Sequence, residues 1–312
     1  MNYEIGIKAD PIEYRYSYEW LFKMMDRLDV RNLQLGSFFE MYRLPDRYFQ
    51  RLRRLADDHG IRIRSCFTTH RELGGFFFDD PDMQKAAMDA YRRYIEIGVI
   101  LGADAVGSNP GSVLRDNMGY KEKGIHNYLN AMIELSRYAC DVGLEALTVE
   151  PMSCLAEPPA TKEEITRFMT TMEAARSDNP EGMVPVYLCA DMSHGYADHD
   201  GNIVQNHMEL FEHCIPWMWE FHIKNTDALF NSTFGFSPDE MKKGIVDLGS
   251  IRNLVEERTG DFPCLEPIGY LETSGPKLGR DYSDFRLEEE IEWSIKAVRE
   301  LYICDAHQVL NQ

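Results

Sequence analysis

The 312-residue chain carries 52 acidic against 33 basic residues, a formal net charge of −19, and a surface of that sign repels nucleic-acid phosphates and anionic membranes. Its composition, 44% hydrophobic with 22 Gly and 14 Pro, is that of a globular chain and neither a disordered nor a fibrous one. No apolar run approaches the roughly 20 residues that a bilayer-spanning helix needs, and Met1-Asn-Tyr-Glu lacks the basic and apolar regions of a secretion signal, so a cytoplasmic protein is expected.

Taken in order, the chain alternates strands with helices. Tyr3–Lys8 alternates as a strand, and Ser17 caps a periodic segment through Leu28. Asn32–Gly36 is a second strand, and Pro45 opens a helix to His59 that Gly60 stops. Ile61–Phe67 is a third strand, followed by a helix over Pro81–Leu101. Ala103–Gly107 is a fourth, followed by a helix over Tyr120–Val142. Leu144–Glu150 is a fifth, after which Thr161-Lys-Glu-Glu164 has the form of a capping box opening a helix to about Ala175. Pro185–Ala190, Trp219–Ile223 and Phe262–Glu266 supply strands six to eight. Helices are expected over residues 203–214, Leu248–Arg258 and Arg286–Leu301.

Eight short strands, each with its helix, predict a (β/α)8 TIM barrel, one domain over residues 1–312 with a helical C-terminal end. An open doubly wound sheet would call for a glycine-rich phosphate loop after the first strand, and Lys8-Ala-Asp-Pro-Ile is not one. The seven cysteines are scattered without a Cys-x-x-Cys pair, which speaks against a disulfide framework or a zinc knuckle.

In such a barrel the chemistry sits where the strands end. Strands five to eight end in Glu150, Asp191, His222 and Glu266. One such acid would ordinarily cap a helix or pair with a nearby cation. Four successive strands ending this way point instead to one divalent metal ion, Mn²⁺, Mg²⁺ or Co²⁺, with Zn²⁺ also admitted by the donor set. His194 follows Asp191 closely enough to face the cavity, and Lys224 shares a strand face with His222. His70 ends the third strand. All three are candidate substrate contacts. The eighth loop, Thr273–Arg280, adds the cations Lys277 and Arg280, and loops after strands seven and eight of barrels often bind phosphate.

These residues resemble the xylose-isomerase-like barrel family, in particular its sugar phosphate isomerases and the tagatose 3-epimerase group. The resemblance is strongest from Glu150 to Glu266 and includes Asp191-x-x-His194 and Gly244-Ile-Val-Asp247. It implies one metal ion held by Glu150, Asp191, His222 and Glu266. It also implies two glutamates, Glu150 and Glu266, that move a proton on opposite faces of a ketose through a metal-stabilised enediolate. The expected function is therefore a metal-dependent sugar isomerase or epimerase. Its substrate is expected to be a sugar phosphate such as a tetrulose phosphate, and the chain a homodimer or homotetramer. A decarboxylase or aldolase acting on a 3-oxo sugar acid would use the same site, and a non-catalytic sugar-binding barrel is a further alternative. The superfamily's three-zinc DNA-repair endonucleases need a histidine at the fourth strand and an Asp-x-His pair after the seventh. This chain has Gly107-Ser-Asn-Pro and Asn225-Thr-Asp227 there. It also lacks the arginine that follows the metal histidine in free-ketose epimerases, Lys224 being the nearest cation.

Overall fold

In the computed structural model, which describes residues 4–13, 15–68, 71–273 and 286–303, eight parallel strands close into a barrel. They are β1 (Glu4–Lys8), β2 (Asn32–Leu35), β3 (Arg62–Thr68), β4 (Ala105–Ser108), β5 (Ala146–Val149), β6 (Val186–Asp191), β7 (Met218–Ile223) and β8 (Ile268–Leu271). Each strand pairs with its sequence neighbours, and β1 with β8 completes the ring, with Ile7 opposite Leu271. The helices are α1 (Tyr18–Arg27), α2 (Asp46–Asp58), α3 (Pro81–Leu101), α4 (Lys121–Val142), α5 (Lys162–Ser177), α6 (His207–Cys214), α7 (Leu248–Glu257) and α8 (Leu287–Ile303).

Local signals account for most helix ends. The Ser17 and Asp80 side chains accept the first free amides of α1 and α3, and such caps contribute about 1 kcal/mol each. Gly102 and Gly143 end α3 and α4 in the left-handed conformation, at φ of 76° and 86°. At α5 the capping box forms in a shifted version. Thr161 accepts from the Glu164 amide, while the Glu164 carboxylate accepts from the amide of Ala160 rather than that of Thr161.

The structure corrects two expectations. Residues 203–205 are not helical; they pair antiparallel with Tyr196–Ala197 in a small hairpin, and Asn206 caps a shorter α6. The hairpin turns through the Asp198 carboxylate, which accepts from the amides of Asp200 and Asn202. The eighth strand is not Phe262–Glu266 but β8, Ile268–Leu271. Pro263 lies inside Phe262–Glu266 and Pro267 directly follows it, so the ladder of a central strand would be missing donors at both, and Leu265 and Glu266 are exposed.

Strand alternation sorts the barrel interior into levels. Gln34, Ser65, Gly107, Thr148, Cys189 and Glu220 form a polar floor. One step further toward the strands' C-terminal ends come Lys8, Glu150, Asp191, His222 and Glu272. Gly107 leaves room for its neighbours, since a Cβ there would lie 2.0 Å from Thr148 Oγ1 and 2.7 Å from the Phe67 ring.

Candidate metal centre

The C-terminal ends of β5 to β8 bring four ligand-type side chains together. Glu150 follows β5, Asp191 ends β6, His222 is the penultimate residue of β7, and Glu272 follows β8. Each offers one ligand atom, these atoms all lie within 4.8 Å of one another, and all four residues are buried. Three of the four are those anticipated from the sequence.

The fourth is Glu272 and not Glu266. Glu266 precedes β8 and is exposed. Six residues of extended chain, on the order of 20 Å, separate it from the strand end where the others meet. The signal for Glu272 was present in the sequence. Ile268–Leu271 followed by Glu272 repeats the plan of Ala146–Val149 followed by Glu150. The Glu-Pro pair shared by Glu150 and Glu266 was the weaker cue.

In three of the four candidate ligands, neighbours hold one atom and leave another facing the centre. Asp191 Oδ1 accepts from the amide and hydroxyl of Ser193, both at 2.7 Å. Glu272 Oε1 accepts from Lys8 Nζ at 2.9 Å. His222 Nε2 donates to Gln34 Oε1 at 2.8 Å, so Nδ1 is the nitrogen aimed at the carboxylates, 2.9 Å from Glu150 Oε1 and 3.3 Å from Glu272 Oε2. The Phe67 ring stands edge-on to the imidazole at 5.0 Å. The hold on His222 continues downward, since Gln34 donates to Ser65 and Ser65 to Glu220, which also accepts from Thr148. Sequence reasoning assigned no role to Lys8, Gln34, Ser193 or Glu220. The contacts of Lys8, Gln34 and Glu220 cross between strands remote in the chain, whereas Ser193 acts locally on Asp191, two residues before it.

Two further predicted residues lie at the centre. His194 Nδ1 donates to the Pro151 carbonyl at 2.7 Å, leaving Nε2 to accept from Lys224 at 3.3 Å. Lys224 Nζ is 2.6 Å from Asp191 Oδ2 and 3.5 Å from Glu272 Oε2. His70, Lys277 and Arg280 lie outside the described residues.

The electrostatics follow from burying several charges together. Burial alone would raise the Asp191 carboxyl, but His194 and Lys224 overcome it and hold it below the usual range. The same opposition, with Lys224 and Lys8 as the cations, takes Glu272 well below its usual value. Burial disfavours the Lys224 ammonium, yet Asp191 and Glu272 keep it charged far above neutrality. For His222, burial and Lys8 oppose the charged form, and Glu272 and Glu150 outweigh them and raise it. Glu220, in the floor, is raised by burial.

Such a set fits a divalent cation. Three carboxylates and one imidazole make a hard, mixed donor set. Asp191 Oδ2 and Glu272 Oε2 are buried without a hydrogen bond of acceptable geometry, although Lys224 approaches the first closely. A buried carboxylate oxygen without a hydrogen bond, as at Glu272 Oε2, is an atom that a bound cation would satisfy.

The comparisons agree with this architecture. The chain is similar to the D-psicose 3-epimerase of Clostridium cellulolyticum solved with D-tagatose, at a TM-score of 0.70 and 14% identity, covering 96% of this chain and 99% of that one. A structure of L-ribulose 3-epimerase matches at 0.66 and 12% identity over 100% and 99%. The probable 3-DHS dehydratase of Bacillus anthracis matches at 0.64 and 9% identity over 95% and 98%. At these identities the likeness establishes the fold, and the reactions named differ. No curated protein sequence matches the chain. The family model for xylose isomerase-like TIM barrels matches residues 24–297, and with the closed eight-stranded barrel this places the chain in the xylose isomerase-like TIM barrel family.

Proposed function

We propose that this protein is a divalent-metal-dependent sugar isomerase or epimerase that moves a proton at a carbon next to the substrate carbonyl. The observation that carries the reading is the convergence of Glu150, Asp191, His222 and Glu272 at the C-terminal end of the barrel. A divalent ion held by these four would draw charge from the carbonyl and the adjacent hydroxyl of a ketose, lowering the barrier to loss of the neighbouring proton.

The chain's own residues supply the rest. Glu150 and Glu272, on the non-adjacent strands β5 and β8, flank the centre and are placed to take and return a proton from different sides of a sugar lying between them. Both carboxylates are buried, where electrostatic stabilisation is worth more than in water. Lys224 places an ammonium beside Asp191 and Glu272, able to hold a second substrate oxygen. His194, fixed through Pro151, accepts from Lys224 at Nε2 and so orients that ammonium toward the substrate. The cations of the Thr273–Arg280 stretch support a phosphorylated substrate over a neutral one.

Incubation in D₂O with Mn²⁺ and a panel of tetruloses, pentuloses, hexuloses and their phosphates tests the reading. Deuterium incorporation beside the carbonyl with all carbons retained is expected. Release of CO₂ or of a shorter aldehyde would move the assignment to a decarboxylase or aldolase, and loss of water to a dehydratase.

A further inference from the structure

Lys8 belongs to no ligand set yet lies at the centre of the site. It is the last residue of β1, points inward two positions after Gly6, and is 1% exposed. Its ammonium bridges two carboxylates, 2.9 Å from Glu272 Oε1 and 3.1 Å from Asp10 Oδ2, and lies 5.2 Å from the centroid of the Phe67 ring. Burying a lysine this completely is tolerated only when its charge is matched, and here it is matched on two sides. Gly36, just past β2, makes the arrangement sterically feasible, since a Cβ there would lie 1.9 Å from Asp10 Oδ1.

The two oxygens of Glu272 therefore have different fates. Oε1 accepts from Lys8. Oε2 faces His222 Nδ1 and Lys224 Nζ and takes no hydrogen bond. A carboxylate free on both sides can grip a divalent cation through both oxygens, whereas one tied to an ammonium presents one. We infer that Lys8 is a positioning residue: clamped between Asp10 and Glu272, it makes Glu272 a one-oxygen ligand and reduces the negative charge the site presents to a cation. The inference rests on the metal-centre reading above. Asp10 sets how far the clamp leans toward Glu272, because its carboxylate shares the same ammonium.

The two ends of the clamp predict opposite outcomes. Lys8→Met frees Oε1 and removes a positive charge beside the centre, so Mn²⁺ should bind roughly ten-fold more tightly by calorimetric titration. A crystal structure of the Mn²⁺-loaded variant should show Glu272 holding the ion through both oxygens, against one in the wild type. Asp10→Asn gives Lys8 wholly to Glu272 and should weaken Mn²⁺ binding by about three- to ten-fold. A merely structural Lys8 would lower affinity in both variants together with thermal stability, or leave Mn²⁺ affinity and Glu272 unchanged in both; either result overturns the inference. If Lys8→Met does not fold, Asp10→Asn carries the test alone, and unchanged or tighter binding overturns it. Failure of the wild-type chain to bind Mn²⁺ would remove the metal-centre reading itself. Wild-type binding with unmoved variants would remove only the role of Lys8.

Discussion

Glu150 and Glu272 do not depend on sequence proximity for their partnership; each sits just beyond the end of its own strand, and the barrel brings them to one point. Replacing either by Gln should lower proton exchange at the substrate carbon by about 10²- to 10⁴-fold. Glu266→Gln should leave it unchanged, because that side chain is exposed before β8 begins. Deuterium exchange followed by NMR separates these cases, and equal losses in all three would contradict the placement of Glu272. A second residue-scale test concerns Gly107. An alanine there must displace Thr148 Oγ1 and the Phe67 ring, and overpacking of this kind costs about 1–3 kcal/mol. Urea unfolding should show that loss.

Between the elements, the segment after β7 is tied to α8 by the Phe236 amide, which donates to Ser294 Oγ at 2.8 Å. Glu240 accepts from the Gly235 amide and faces Glu290 of α8. Burial, and then repulsion from Glu290, raise the Glu240 carboxyl to about 7 from its ordinary 4.5. A carboxyl raised on folding stabilises the native state below its unfolded value, and that contribution is lost as pH rises through the folded one. The protein should therefore lose stability between about pH 4.5 and pH 7 through this group. Glu240→Gln should flatten that slope and raise stability at pH 8 by an amount on the order of 1 kcal/mol, once the screening of a half-buried pair is allowed for. Thermal unfolding of both proteins from pH 4 to pH 8 tests this, and parallel curves would sink it. The elements themselves were largely legible. Ser17 and Thr161 mark helix starts and Gly60 a helix stop by local chemistry that acts within a few residues. The hairpin over 196–205 was not, because Ile203-Val-Gln reads equally as the start of a helix until its partner Tyr196–Ala197 is in place.

At the scale of the whole molecule, a metal ion bound only by the folded barrel should couple to stability. Mn²⁺ at 100 times its dissociation constant should add about 2.7 kcal/mol to unfolding, and a chelator should reverse it. A melting temperature indifferent to both would contradict a buried site. The −19 net charge bears on the same scale, since it disfavours polyanionic partners over the whole surface while the barrel mouth concentrates Lys8 and Lys224 among its acids. No helix among the described residues is long and apolar enough to cross a membrane.

The sequence by itself determined the alternation of eight strands and eight helices, and with it the barrel, because period and capping are local properties that each segment carries alone. It also pointed to Glu150, Asp191 and His222 as candidate ligands, since each lies at or beside the C-terminal end of a strand-like run. Only the tertiary structure brought the fourth candidate ligand, Glu272, to the other three. Whether Cys264-Leu-Glu266 or Ile268–Leu271 enters the barrel depends on which backbone can pair on both edges at once, with β7 and with β1, and the prolines flanking the first exclude it. The tertiary structure alone also revealed Lys8, a residue that looks like any strand-end lysine until ring closure sets β1 beside β8 and puts its ammonium on Glu272.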